Sequence, residues 1–169
     1  MAPSILLRIQ FFNKIAQLAR TDAQILYNTL AVTPTNMVVP GVDVQQLGGK
    51  TLTAGVYSLG AADLTGDLTL NVPTEGETFI FKISSTLTVA SGARVIITGA
   101  GADCVHIYWQ VGSSATLGTT AEFQGTIIAD ASVTLNNGAE LLNGGAYALN
   151  GAVTLINNNL VSRKIQIIG

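Results

Sequence analysis

Residues 106–135 read HIYWQVGSSATLGTTAEFQGTIIADASVTL. A largely apolar run (HIYWQV, 106–111) gives way to a short alternating segment (ATL, 115–117) and then to a mixed one (AEFQG, 121–125). The order starts again with GTIIAD (125–130) and VTL (133–135). Gly, Ser, Thr and Asp mark the boundaries, which is the texture of short strands joined by tight turns. Side chains alternate across a strand, so Ala115, Leu117, Val133 and Leu135 point to an interior while Thr116 and Thr134 point out.

The alternating segment recurs on both sides of this stretch. DLTLN (67–71), TLTVA (86–90) and VTLIN (153–157) align with it through Thr69, Thr88 and Thr154. From Thr69 through Thr88, Thr116 and Thr134 to Thr154, successive threonines are 19, 28, 18 and 20 residues apart. A repeat near 20 residues with one longer loop is what a β-solenoid coil needs to turn three corners. TFIFKI (78–83), HIYWQV, GTIIAD and GGAYAL (144–149) form a second strand class, apolar on both sides and therefore covered on both faces. ARVIIT (93–98), AEFQG and AELLN (139–143) form a third, mixed class.

Residues 4–32 have a different texture. Ile15, Leu18, Ile25, Leu26 and Leu30 follow helical spacing, and Pro34 with Pro40-Gly41 ends the run. Thr21 and Asp22 offer a cap or turn midway, which leaves one helix or two open. The opening MAPSILLRIQFFNKIAQLAR is no signal peptide by pattern, since Arg8 and Lys14 break its apolar stretch; it reads as an amphipathic helix with Ile5, Leu6, Ile9 and Phe12 on one side. The helix of residues 15–32 is the one available cover for the doubly apolar strands. It is expected over Phe79, Phe81, Tyr108, Ile128 and Tyr147, with Ile25 and Leu26 buried against them. The whole chain, 1–169, is then one domain: an atypical segment 1–14, the helix 15–32, and solenoid coils over 47–162.

Composition excludes most enzyme chemistry. Of 169 residues only 11% are charged, with a net charge of −2, which gives no footprint for nucleic acid or an anionic membrane. Cys104 is the single cysteine and His106 the single histidine, so disulfide frameworks and multi-histidine metal sites are excluded. Cys104 and His106 stand two apart, on one side of a strand if the alternation holds. Apart from Asp103 beside Cys104, no Asn or Asp lies nearby to orient them, so a catalytic pair has little support. The carboxylates Asp63, Asp67, Glu75, Glu77, Asp103, Glu122, Asp130 and Glu140 are scattered, with Glu122 and Glu140 spaced to stack on adjacent rungs. Such charges suit solvated edges that resist edge-to-edge pairing. No glycine-rich loop opens a helix, so no nucleotide cofactor is implied. The charge-free span Leu141–Ser162 is too rich in Asn and Gly to be a lipid-facing helix.

The segments ARTDAQILYNTLA, LGGKTLTAGVYSL, LTGDLTL, FIFKISSTLTVASGARV, IYWQVGSSATLGTTAEFQGTIIADASVTL and LNGAVTLINNNLV resemble the secreted microbial ice-binding (antifreeze) proteins, in continuous order over about residues 17–161. The resemblance implies a mainly β fold, a right-handed parallel β-helix (discontinuous β-solenoid) with one long α-helix packed along one face. It also implies a secreted protein that adsorbs to ice without turnover, cofactor or metal. In the family a sizeable segment before the helix contributes coils at one end of the solenoid. Here the N-terminal part is shortened to MAPSILLRIQFFNKI, so one end of the solenoid is expected to expose its interior. The N-terminal segment or a second chain would cap it. The chain is expected to work as a monomer, with end-to-end association open to it.

The outward threonines and their neighbours are the candidate site: Thr69, Thr86, Thr88, Ser114, Thr116, Ser132, Thr134, Asn136 and Thr154, with Asp67 beside them. Rungs about 4.8 Å apart and outward residues about 6.7 Å apart along each strand would make a flat grid of hydroxyls and methyls. Threonine is also simply a good strand former, and pattern alone weighs the two readings about equally. A carbohydrate-binding or cell-surface adhesion module on the same scaffold is the alternative, and a polysaccharide-processing enzyme a weaker one. Aromatics are only 6%, and those in strands read as buried, which argues against a sugar platform. Adjacent Tyr108 and Trp109 are expected to divide, one inward and one toward the helix.

Overall fold

A computed structural model describes residues 5–38, 44–157 and 159–161. Among these residues one helix, Ile5–Val32, precedes eighteen short strands in three parallel sheets of six. Each coil contributes one strand to each sheet, and every strand pairs with its counterparts in the coils above and below. The helix-side sheet consists of Met37–Val38, Gly55–Leu59, Thr78–Ile83, His106–Val111, Thr126–Ala129 and Ala146–Ala148. The threonine sheet consists of Val44–Gln46, Ala61–Leu64, Leu87–Val89, Ala115–Leu117, Val133–Leu135 and Val153–Leu155. The third, charged sheet consists of Thr51–Thr53, Asp67–Asn71, Arg94–Thr98, Glu122–Gln124, Glu140–Leu142 and Asn159–Val161. The fold is the mainly β solenoid with a flanking helix that the sequence pattern points to.

Parallel register stacks like on like. Down the interior, Leu64, Val89, Leu117 and Leu135 lie in one buried column. Tyr57, Phe81 and Trp109 lie in another, in register and ring on ring. Tyr57 and Phe81 stack with centroids 5.2 Å apart, Phe81 and Trp109 at 3.9 Å, and Phe123 meets Trp109 at 4.7 Å from the charged sheet. Each such buried side chain contributes about 1.5–3 kcal/mol of hydrophobic stabilisation. The polar ends are satisfied inside the fold: Trp109 Nε1 donates to the Gln124 carbonyl at 2.9 Å, and the Tyr57 hydroxyl to the Thr53 carbonyl at 2.6 Å. Burial pushes the Tyr57 hydroxyl's pKa up. Tyr108 and Trp109 divide as expected, Trp109 into the solenoid and Tyr108 toward the helix.

The corner between the threonine and charged sheets has its own rule. Every coil places a left-handed residue there: Gly49, Gly66, Gly92, Thr120, Gly138 and Asn157, with φ of 75°, 85°, 69°, 56°, 70° and 50°. Glycine and asparagine adopt this conformation readily, whereas threonine's β-branch clashes in it. Thr120 is held there by its neighbours: its backbone NH donates to the Asn137 carbonyl on the next coil. Side-chain amides also tie corner to corner, Asn157 to Asn137 at 3.3 Å, Asn150 to Asp130 at 3.1 Å and Asn143 to Gln124 at 2.7 Å.

The helix covers the helix-side sheet, though with a different face from the one expected. Ala23 and Leu30 are buried against Ile128 and Leu149, with Leu26, Tyr27, Ile80 and Tyr108 around them. Phe79 and Phe81 instead point into the solenoid, because alternation turns the residues beside Ile80 inward. Tyr147 faces the helix but stays 44% exposed. Ile25 is 58% exposed and with Leu18 and Val32 forms an outward stripe, so it is not buried as expected. No turn interrupts the helix at Thr21, whose hydroxyl donates back to the Gln17 carbonyl at 2.9 Å. The helix also continues back to Ile5 through the segment set apart as 1–14, and the coils begin at Met37 rather than at residue 47. The side chains of Ile5, Leu6, Ile9 and Phe12 lie outside the described residues. Lys82, projecting from the helix-side sheet, donates to the Thr33 carbonyl at 2.8 Å and so caps the helix's negative C-terminal end.

In the sixth coil the inward positions are more open than in the coils before it. Val153 and Leu155, whose counterparts Val133 and Leu135 are fully buried, are 40% and 48% exposed. Ile156 beside them is exposed as well.

Two stability outcomes follow from these placements. Leu30→Asp buries an unpaired charge and is expected to cost about 3 kcal/mol or more, while Ile25→Asp stays within about 0.5 kcal/mol. Urea melts of both variants check this, and equal losses would contradict the helix orientation. Thr120→Gly relieves a left-handed threonine and is expected to raise stability by roughly 1 kcal/mol in the same assay.

Candidate functional site

The outer face of the threonine sheet is built by register. Thr88 pairs with Thr116, Thr116 with Thr134 and Thr134 with Thr154, giving one continuous outward column over coils 3–6. Two residues earlier, immediately before each strand, stand Thr86, Ser114, Ser132 and Ala152, aligned by the backbone bonds from Leu87 to Ser114, Ala115 to Ser132 and Val133 to Ala152. These eight residues form a two-column grid with spacings of about 4.8 Å between rungs and about 6.7 Å between columns. The inward neighbours Leu87, Val89, Ala115, Leu117, Val133 and Leu135 are packed in the core, which holds the grid's backbone rigid over coils 3–5.

The grid is uncharged and its polar atoms are partly anchored. Ser114 Oγ accepts from the Ser132 backbone at 3.4 Å, and Ser132 Oγ from the Ala152 backbone at 3.3 Å. Asn136 lies on the far side of the threonine column, where its amide donates to the Leu117 carbonyl at 3.0 Å. Thr86, Thr88 and Thr154 are exposed, while Thr116, Thr134, Ser114 and Ser132 are partly buried by neighbouring rungs. Thr116 and Thr134, each crowded by threonines above and below, have few rotamers left, so the middle of the surface is ordered before anything binds to it.

Thr69 does not belong to this face. It lies in the charged sheet, paired with Thr51 and Ile96, because DLTLN occupies the third strand of coil 2 rather than the second. The residue in register with Thr88 is Asp63, and beyond it Gln46. The signal was present: Ala62-Asp63-Leu64 repeats the pattern of Ala115-Thr116-Leu117, with a left-handed glycine, Gly66, shortly after it. Asp67 also stands in the charged sheet. Thr86, Thr88, Ser114, Thr116, Ser132, Thr134, Asn136 and Thr154 are brought together in one sheet.

The other faces differ in kind. The helix-side sheet is covered by the helix. The charged sheet carries Asp67, Arg94, Glu122 and Glu140 in one outward column, and Glu122 and Glu140 stack on adjacent rungs as their spacing suggested. Arg94 makes a two-pronged bridge to Asp67 at 2.6 and 2.9 Å, which holds the aspartate's carboxyl below the usual carboxylate range. A shallow polar hollow lies beside it, lined by Arg94, Asp103, Glu122, Gln124 and Asn143. Cys104 belongs to a 3-10 turn, Ala102–Cys104, and not to the strand of His106, so the two do not share a strand face. Among the described residues no three His, Cys, Asp or Glu side chains converge as metal ligands. No helix among those residues is long and apolar enough to cross a membrane.

Known proteins match both the sequence and this arrangement. A family model described as ice-binding-like matches residues 9–161. The ice-binding protein of Nostoc sp. (strain HG1) is 44% identical over 148 residues, 86% of this chain and 53% of that protein. Ice-binding protein 1 of Shewanella frigidimarina is 36% identical over 73% of this chain, which corresponds to 14% of its own length. The chain thus spans about half of the Nostoc relative and less of the Shewanella one. Among solved structures, the ice-binding protein of Antarctomyces psychrotrophicus superposes with a TM-score of 0.77 at 29% identity, over 88% of this chain and 71% of that one. An ice-binding protein from an Antarctic biological consortium superposes with a TM-score of 0.74 at 37% identity, over 87% and 66% of the two chains. With a matching family model over most of its length and the same solenoid architecture, the chain belongs to the ice-binding-like family.

Proposed function

We propose that this protein binds ice through the outer face of its threonine sheet and restrains crystal growth and recrystallisation. The observation that carries this reading is the in-register column Thr88, Thr116, Thr134 and Thr154, uncharged, flat and uncovered by the helix. Hydroxyls at fixed spacing hydrogen-bond surface water, and the methyls between them limit the other directions in which that water can bond. Water ordered in this way merges with the crystal lattice on contact, so adsorption needs little further ordering of the protein. Once bound, the protein blocks addition of water beneath it. No bond is made or broken, and no cofactor or catalytic residue enters the process.

Affinity in this reading comes from a large contact area rather than from any single bond. Single ions are strongly hydrated and would organise water around themselves, which explains why the face suits small neutral side chains. The family setting favours action outside the cell, where ice forms. A single chain is sufficient, and end-to-end association of solenoids would leave the threonine sheet accessible.

Thr134 sits at an interior rung, with Thr116 and Thr154 on either side. Thr134→Tyr is expected to leave the fold intact, since the side chain points outward, yet to abolish most thermal hysteresis by holding the crystal off several rungs. Gln124→Tyr, on the charged sheet, is expected to retain activity. Loss at Gln124 with full activity at Thr134 would move the site to the charged sheet. A well-folded parent with no effect on growing ice would remove the function itself.

A further inference from the structure

The threonine column stops before the sheet does. Asp63 pairs with Thr88, and Gln46 with Asp63, so the sheet runs on for two coils while the hydroxyl column ends. At coil 2 the backbone is already set to display an outward residue: Ala62 and Leu64 are fully buried on either side of Asp63, as Ala115 and Leu117 are around Thr116. What changes at this rung is chemistry and not geometry. A carboxylate accepts hydrogen bonds from water without donating any, and it brings no methyl to match the rung beside it.

Widening the face is obstructed in a way that lengthening it is not. The next outward position beyond Thr116 is Gly118, where the chain turns the corner against the coil before it. A Cβ there would meet the Ser91 nitrogen at 2.5 Å and the Ala90 carbonyl carbon at 2.6 Å. A hydroxyl-bearing side chain cannot complete a third column at coil 4 without moving the backbone. The face therefore grows along the solenoid axis.

We propose that Asp63 sets the length of the ice-binding face, an inference that rests on the assignment of the threonine sheet as that face. Asp63→Thr extends the column from four threonine rungs to five. The test compares the parent with Asp63→Thr, Asp63→Asn and Thr134→Tyr at equal molar concentration, reading thermal hysteresis on seeded crystals after circular dichroism has checked each fold. Asp63→Thr is expected to exceed the parent, in step with the added rung, while Thr134→Tyr loses its activity. If Asp63→Asn rises equally, Asp63 still sets the limit, through its charge alone. An Asp63→Thr protein that melts with the parent and shows no gain, beside an inactive Thr134→Tyr, overturns the inference and leaves the face standing. A fully active Thr134→Tyr overturns the face assignment and this inference with it. Asp63→Ser, which keeps the hydroxyl without the β-branch, replaces the threonine variant if that one fails to fold and is judged in the same way.

Discussion

Rung-to-rung register is the constraint on which the rest of this molecule depends. Backbone bonds between parallel strands fix each coil at one spacing from the next, and the three corners keep the three sheets from slipping independently. A slip of one residue in any strand would turn Leu117 or Leu135 out and Thr116 or Thr134 in. The interior columns of leucine, valine and stacked aromatics make that slip costly, so the outward columns inherit the precision of the inward ones. The candidate surface is the other side of the core's own order.

Because the surface follows from the core, its stiffness needs no separate device. The threonine sheet is three residues wide in coils 3–6, and its inward residues there are buried from Leu87 to Leu135. Serine oxygens bonded to the next coil's backbone and the Asn136 amide bonded to Leu117 add local anchors. The three faces divide labour by composition. One is covered by a helix, one carries a column of charges that keep it hydrated, and one is left open and, over coils 3–6, neutral. Arg94 and Asp67, both well exposed, contribute little stability, and their charge lies on a different sheet from the threonines.

Much of this was legible in the residues, and what was not had identifiable causes. The three strand classes, the division of Tyr108 and Trp109, and the column from Thr88 to Thr154 all follow from alternation and spacing. DLTLN imitates the alternating motif while lying in another strand of its coil, so likeness alone puts Thr69 on the wrong sheet. Motif likeness cannot replace corner counting where coils differ in length. Helical periodicity places the helix against the helix-side sheet but does not settle which of its two apolar stripes faces it. Leu18, Ile25 and Val32 form an apolar stripe as convincing as the buried one, and only the packing of Ala23 and Leu30 against Ile128 and Leu149 distinguishes them. Small residues such as Ala23 mark the true contact face, because they let the helix approach the sheet closely.

The central claim is that a register-built, uncharged face adsorbs to ice. It is tested most directly by holding a single seeded ice crystal slightly below its melting point in a dilute solution of the folded chain. The account predicts that the crystal develops facets and stops growing within a finite interval of undercooling. A crystal that stays a smooth, unshaped disc and grows as it does in buffer would contradict it.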